Sequence, residues 1–136
     1  FSIIILASII SVYFFYGREV DIRDLEAETL AIRISDCFIE NNELQHIENF
    51  YSDCNINEGS FLNNDFYLRV SYHQNGKEEE LFVFGDRGKE IQCDLAESSE
   101  AKNYPRCYKK EFFALNQGKE GKLGIFTSSN NQGGRI

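Results

Sequence analysis

The chain has 136 residues, with 14 basic against 22 acidic side chains and a formal net charge of −8. That balance repels nucleic-acid phosphates and anionic lipid head groups, so DNA and RNA are disfavoured as partners. Two histidines, one proline and no methionine leave little material for metal or acid–base chemistry, and the length suits one modest core.

The first sixteen residues, FSIIILASIISVYFFY, carry no charge, proline or glycine. Polar groups are few, among them Ser8, Ser11 and the hydroxyls of Tyr13 and Tyr16. As a helix rising ~1.5 Å per residue the run reaches about 24 Å, a little under a ~30 Å hydrocarbon core. A helix apolar on every side cannot rest on a soluble domain, so lipid or other subunits must cover it. The run passes into Tyr16-Gly17-Arg18-Glu19 without a small-residue cleavage pattern, and is expected to remain in the mature protein. Residues 1–17 are therefore expected to be an apolar transmembrane or filament-core helix.

Residues 18–42 predict an amphipathic helix on the same axis, from Val20 to about Glu40. Ala27, Leu30, Ala31, Ile34, Cys37 and Phe38 recur at helical spacing. Asp21, Asp24, Glu26 and Glu28 crowd its N-terminal half, where the helix dipole favours anions. With only Gly17 between them, the two stretches are expected to form one rod of about 40 residues, roughly 60 Å long. Residues 43–51 have a weak helical pattern, and 52–64 read as a loop.

Residues 43–127 are expected to form an antiparallel head of four to five strands. Its clearest signal is Asn75-Gly76, flanked by two β-rich runs over 65–86. A two-residue turn there pairs Val70 with Leu81 and Leu68 with Val83, and puts Phe66, Leu68, Val70, Tyr72, Leu81 and Val83 on the face meant for the helix. Residues 89–95, 106–115 and 122–127 read as further strands, and 128–136 as a polar tail.

The four cysteines, Cys37, Cys54, Cys93 and Cys107, lack any C-x-x-C spacing. Of three possible connectivities the sequence-local pairs Cys37–Cys54 and Cys93–Cys107 are favoured, each closing a loop worth ~3 kcal/mol. Disulfides imply a compartment outside the cytosol. A structural zinc site is the rival reading, although it ordinarily needs a close cysteine pair.

No catalytic, cofactor-binding or metal-ligating residue is assigned, and the protein is not expected to be an enzyme. His73 lies beside a turn and His46 in a weak helix, neither with a nucleophile motif. The acidic runs 21–28 and 78–80 lack the oxygen spacing of a calcium loop, and Gly85-Asp86-Arg87-Gly88 reads as a turn.

The start Phe1-Ser-Ile-Ile-Ile-Leu-Ala-Ser-Ile-Ile, the loosening position Gly17 and the stretch DIRDLEAETLAIRISDCF together resemble type IV pilins and their pseudopilin and archaeal pilin-like relatives. The resemblance covers residues 1–42 and is one of architecture more than motif. It implies a helix that sits in the membrane before assembly and in a filament core afterwards, its second half packed on the head. It also implies an assembly surface of Phe1, Ile5, Ala7, Ser8, Ser11, Phe14 and Gly17. On this reading the chain is a structural subunit of an extracellular filament whose partners are copies of itself. Bacterial pilins usually carry Glu where Ile5 stands, which shifts the likeness toward the archaeal members. The alternative is a single-pass anchored subunit of a membrane complex, its head a binding module.

Overall fold

The computed structural model describes residues 2–16, 21–63, 65–97 and 104–130, except for the side chains of 2, 14–16 and 97. Helix α1 runs over Ser2–Tyr16 and α2 over Arg23–Phe38. A short pair, β1 (Ile39–Glu40) and β2 (Glu43–Leu44), follows, then two single-turn helices, α3 (Phe50–Asp53) and α4 (Gly59–Leu62). The hairpin β3 (Phe66–Gln74) and β4 (Lys77–Phe84) leads to α5 (Gly88–Glu97) and a second hairpin, β5 (Arg106–Asn116) and β6 (Lys119–Ser129). The six strands form one sheet in the order β1-β2-β5-β6-β3-β4. It is mixed, because β2 runs parallel to β5 through Glu43↔Leu115.

The expected architecture, a continuous apolar-then-amphipathic helix on a four- to five-stranded antiparallel head, is overturned in three places. The rod is broken at Asp21 and Ile22, which are not helical. The Asp21 carboxylate accepts from the Arg23 backbone N–H at 3.1 Å and from its guanidinium at 2.8 and 2.7 Å, so Asp21 stays outside the helix and α2 starts at Arg23. Gly17 and the continuity of 17–20 lie outside the described residues, and no described helix is long and apolar enough to cross a membrane. Secondly, α2 ends at Phe38, and Asn41 and Asn42 take positive φ (53° and 65°) to turn the chain into β1–β2. That pair, with its parallel join to β5, brings the sheet to six strands. Thirdly, residues 89–95 are helical rather than extended. The Asp86 carboxylate accepts from the Gly88 N–H at 2.8 Å and caps the start of α5.

Two smaller boundaries also move. Ser128 and Ser129, expected in the tail, belong to β6 and are fully buried. In the first hairpin the turn at Asn75-Gly76 forms with positive φ at both residues, and the pairing runs as expected from Gln74↔Lys77 to Ser71↔Glu80. A bulge then shifts the register, so that Val70 meets Phe82 and Leu68 meets Phe84. One residue of slip exchanges the faces of a strand. Here it delivers Phe82 and Phe84 to the core, leaves Val83 opposite Arg69 on the far face, and keeps Glu78 and Glu80 on that wetter side.

The core lies between α2 and one face of the sheet. Ala27, Ala31, Ile34 and Phe38 are buried, as are Leu68, Val70, Tyr72, Ala114, Leu123 and Ile125. Leu30, expected at the centre of the stripe, is only half-buried; Ala31 takes its place. Beyond Phe38 the core continues as an aromatic cluster of Phe50, Phe61, Phe82 and Phe84, with Phe50 stacked on Phe84 at 4.5 Å. Phe50 and Phe61 are buried and each contributes roughly 1.5–3 kcal/mol, whereas Phe82 and Phe84 are half-buried. The far face of the sheet is roofed by α5, whose Glu90 and Cys93 reach Tyr67 and Cys107.

Ile34→Asp, which puts an unpaired charge between α2 and the sheet, is expected to cost several kcal/mol in denaturant unfolding. Glu28→Ala, on the exposed side of the same helix, is expected to cost under about 0.5 kcal/mol. Equal losses contradict the assigned stripe.

Candidate functional site

Two features set this chain apart, an apolar helix with no wet side and a head fastened at both ends. Helix α1 follows from its composition: fifteen residues without proline or glycine, rich in Ile and aromatics. Its described apolar side chains are exposed by between 48% (Ile10) and 84% (Ile3), and they point to every side of the helix. Of the expected assembly residues, Ile5, Ala7, Ser8 and Ser11 lie exposed along α1. Phe14 belongs to α1, but its side chain, like Phe1 and Gly17, lies outside the described residues. The Ser8 hydroxyl donates to the Ile4 carbonyl at 2.8 Å, which satisfies it within its own helix.

The head begins at a charge cluster that sequence periodicity did not disclose. Arg23 occupies a core position of α2, 5% exposed. Besides its double contact with Asp21 it donates to the Tyr104 carbonyl at 3.0 Å. Arg106, the first residue of β5, places Nε 3.5 Å from the Asp21 carboxylate and 3.9 Å from that of Asp24. The start of α2 is thereby held to the start of β5. Donation from Arg23 keeps the Asp21 carboxyl well below the usual carboxylate range, against the opposing effect of burial. The only early sign was the i, i+2 spacing of Asp21 and Arg23, which helical periodicity does not weigh.

Both disulfides form as the spacing favoured. Cys37–Cys54 joins the end of α2 to the end of α3, with Cα atoms 5.3 Å apart, and Cys93–Cys107 joins α5 to β5 at 5.9 Å. All four cysteines are used, so the zinc alternative has no thiolate left. The two bonds point to an oxidising, extracytoplasmic location.

Ser71, His73 and Glu78 stand together on the far face of the sheet, in the residue types of a nucleophilic triad. The Ser71 hydroxyl is 3.5 Å from His73 Nε2, and the Glu78 carboxylate is 3.3 Å from the same nitrogen. A triad needs the acid on one ring nitrogen and the nucleophile on the other. One nitrogen cannot take the serine proton while donating to the carboxylate, so this arrangement lacks the geometry of a triad. Glu78 also pairs with Arg69, which pairs with Glu90. Among the described residues no group of three or more His, Cys, Asp or Glu could hold a metal ion.

No family model, curated protein or solved structure matches this chain.

Non-reducing peptide mapping is expected to recover Cys37–Cys54 and Cys93–Cys107, and removing either bond to cost ~3 kcal/mol of unfolding free energy; four alkylatable thiols contradict the assignment. Because the Asp21 carboxyl is depressed, its contribution is full above its unfolded value of ~3.9 and is lost as pH falls through its lower folded value. Asp21→Asn is therefore expected to lower Tm at neutral pH, by an amount that shrinks steadily below about pH 4. An Asn variant whose deficit is independent of pH contradicts the ion pair.

Proposed function

We propose that the chain is a structural subunit of an extracellular filament that polymerises through its N-terminal apolar helix. The observation that carries this reading is the all-round exposure of α1. A groove on one partner covers one stripe of a helix, whereas a bundle of copies covers every side. The small residues Ala7, Ser8 and Ser11 allow neighbouring helices to approach closely. The head suits life outside the cytosol: it is doubly stapled, and its charge keeps it soluble while the helices pack. Before assembly α1 resides in lipid. The likeness to type IV pilin-like proteins enters this proposal through the apolar helix alone. The mechanism draws on no cofactor and no catalytic residue.

One observation favours a second reading, in which the chain is a single-pass anchored subunit with a binding head. The internal bond from Ser8 to Ile4 hides the hydroxyl from its surroundings, which suits lipid as well as a helix bundle.

Sedimentation and negative-stain microscopy of the full chain separate the two. Ile5→Lys and Ala7→Asp are expected to abolish fibres while the two disulfides and the far-UV spectrum stay unchanged. Membrane-bound monomers under every assembly condition tried contradict the filament and support the anchor.

A further inference from the structure

The head carries two exposed patches of complementary character, one on either side of the sheet. On α2 the core positions Ala27, Ala31, Ile34 and Phe38 leave the opposite side of the helix to Leu25, Glu28, Ile32 and Asp36. These four recur at i, i+3, i+7 and i+11, the spacing of one helical stripe. Leu25 is 64% and Ile32 44% exposed. Glu28 and Asp36 are exposed and have no ion-pair partner among the described residues. Arg33, on the flank of the stripe, is taken up by the Asn55 carbonyl, to which it donates at 2.7 Å.

The second patch lies on the far face of the sheet, further along β5 than Cys107, where α5 is bonded. Lys109, Glu111 and Phe113 alternate onto that face with Cys107, and Lys122 stands opposite Phe113 on β6. Phe113 is 54% exposed. Lys109 is exposed without an ion-pair partner among the described residues, and Lys122 holds Glu111 at 3.2 Å on the surface. Residues 106–122 hold five basic against two acidic side chains, in a chain whose formal net charge is −8. Lys109 and the Phe113–Lys122 pair stand about 13 Å apart along the strand at ~3.3 Å per residue. Glu28 and Asp36 stand about 12 Å apart along the helix at ~1.5 Å per residue. Two lysines at one spacing can therefore meet two carboxylates at the other, with apolar side chains between them in both patches.

We propose that the occupant of each patch is a second copy of this chain. Lys109 and Lys122 of one head dock on Glu28 and Asp36 of the next, and the Phe113 ring covers Leu25 and Ile32. The patches lie on opposite sides of the sheet, so the contact is head-to-tail and extends as an open array unless the rotation closes a ring. The net charge opposes the approach of two heads, but at physiological salt exposed charges further apart than ~8 Å are largely screened, and pairs enclosed in a contact much less so. A standard interface takes about 20–30 residues a side, and this one is smaller. The contact therefore rests on the filament reading: α1 gathers the copies and raises their effective concentration, and the head contact sets how neighbouring heads sit.

Zero-length carbodiimide cross-linking of ordinary and heavy-isotope-labelled full chain, assembled together, tests it. Peptide mapping is expected to recover links from Lys109 or Lys122 of one isotope to Glu28 or Asp36 of the other. Lys109→Glu with Lys122→Glu is expected to lower the fibre yield at fixed concentration several-fold, and the further changes Glu28→Lys and Asp36→Lys to restore it. Fibres without those mixed links overturn the contact. So does a fourfold variant that keeps both disulfides and does not recover the yield. Where no fibres form, the filament reading fails and the contact is judged on chains crowded in lipid vesicles. There the same mixed links uphold it, and links confined to Lys122 and Glu111 of one chain overturn it.

Discussion

The head depends on a helix backbone lying close against a sheet. Two alanines make this possible: Ala27 and Ala31 present no bulk toward β5 and β6, so the Thr127 hydroxyl on β6 can donate to the Ala27 carbonyl at 2.7 Å. That bond is buried, and a buried hydroxyl without a partner is costly. It fixes the height and the rotation of α2 together. Ile34 and Phe38 then fall onto the same face further along, and Ser129 donates to Glu26 at 2.7 Å nearer the start. A larger residue at position 27 lifts the helix and breaks the hydroxyl bond at once.

Around that contact the head is fastened at its edges rather than enlarged in its core. Arg23 and Arg106 hold the beginning of α2 to β5. Cys37–Cys54 holds its end to the segment that carries Phe50 and Phe61. Cys93–Cys107 holds α5 across the opposite face. The sheet edge formed by β4 is protected in its first half by Glu78, Glu79 and Glu80, and in its second half by the aromatic cluster packed on Phe82 and Phe84. Gly121 permits a close approach: a Cβ there falls 2.8 Å from the His73 carbonyl and onto the Tyr72 ring, so β6 tolerates no side chain where it passes that ring.

Sequence periodicity disclosed the elements with a single strong signal. The stripe of α2, the turn at Asn75-Gly76, the β5 and β6 strands and both disulfides are each local patterns. What escaped was decided by competition between distant parts. The register of β4 is regular near its turn and changes only where Phe82 and Phe84 gain more by joining Phe50 and Phe61 than the ladder loses at one bulge. Residues 89–95 alternate well enough to read as a strand, but Asp86 caps a helix there, from which Cys93 bonds to Cys107. The break between α1 and α2 turned on Asp21, one acidic residue among several whose partner is two positions away. At the candidate site the apolar helix was plain from composition, whereas the burial of Arg23 and Lys89 was not, because an exposed and a buried charge look alike in sequence.

The head so described is oxidised and cross-linked, while α1 has exposed apolar side chains on all sides. The proposed function therefore rests on what surrounds α1. Electron cryomicroscopy of native material at a resolution that separates helices tests this directly. The account predicts that each α1 is ringed by α1 helices of neighbouring copies, with the heads on the outside. A single α1 surrounded by lipid, beneath an isolated head, contradicts it.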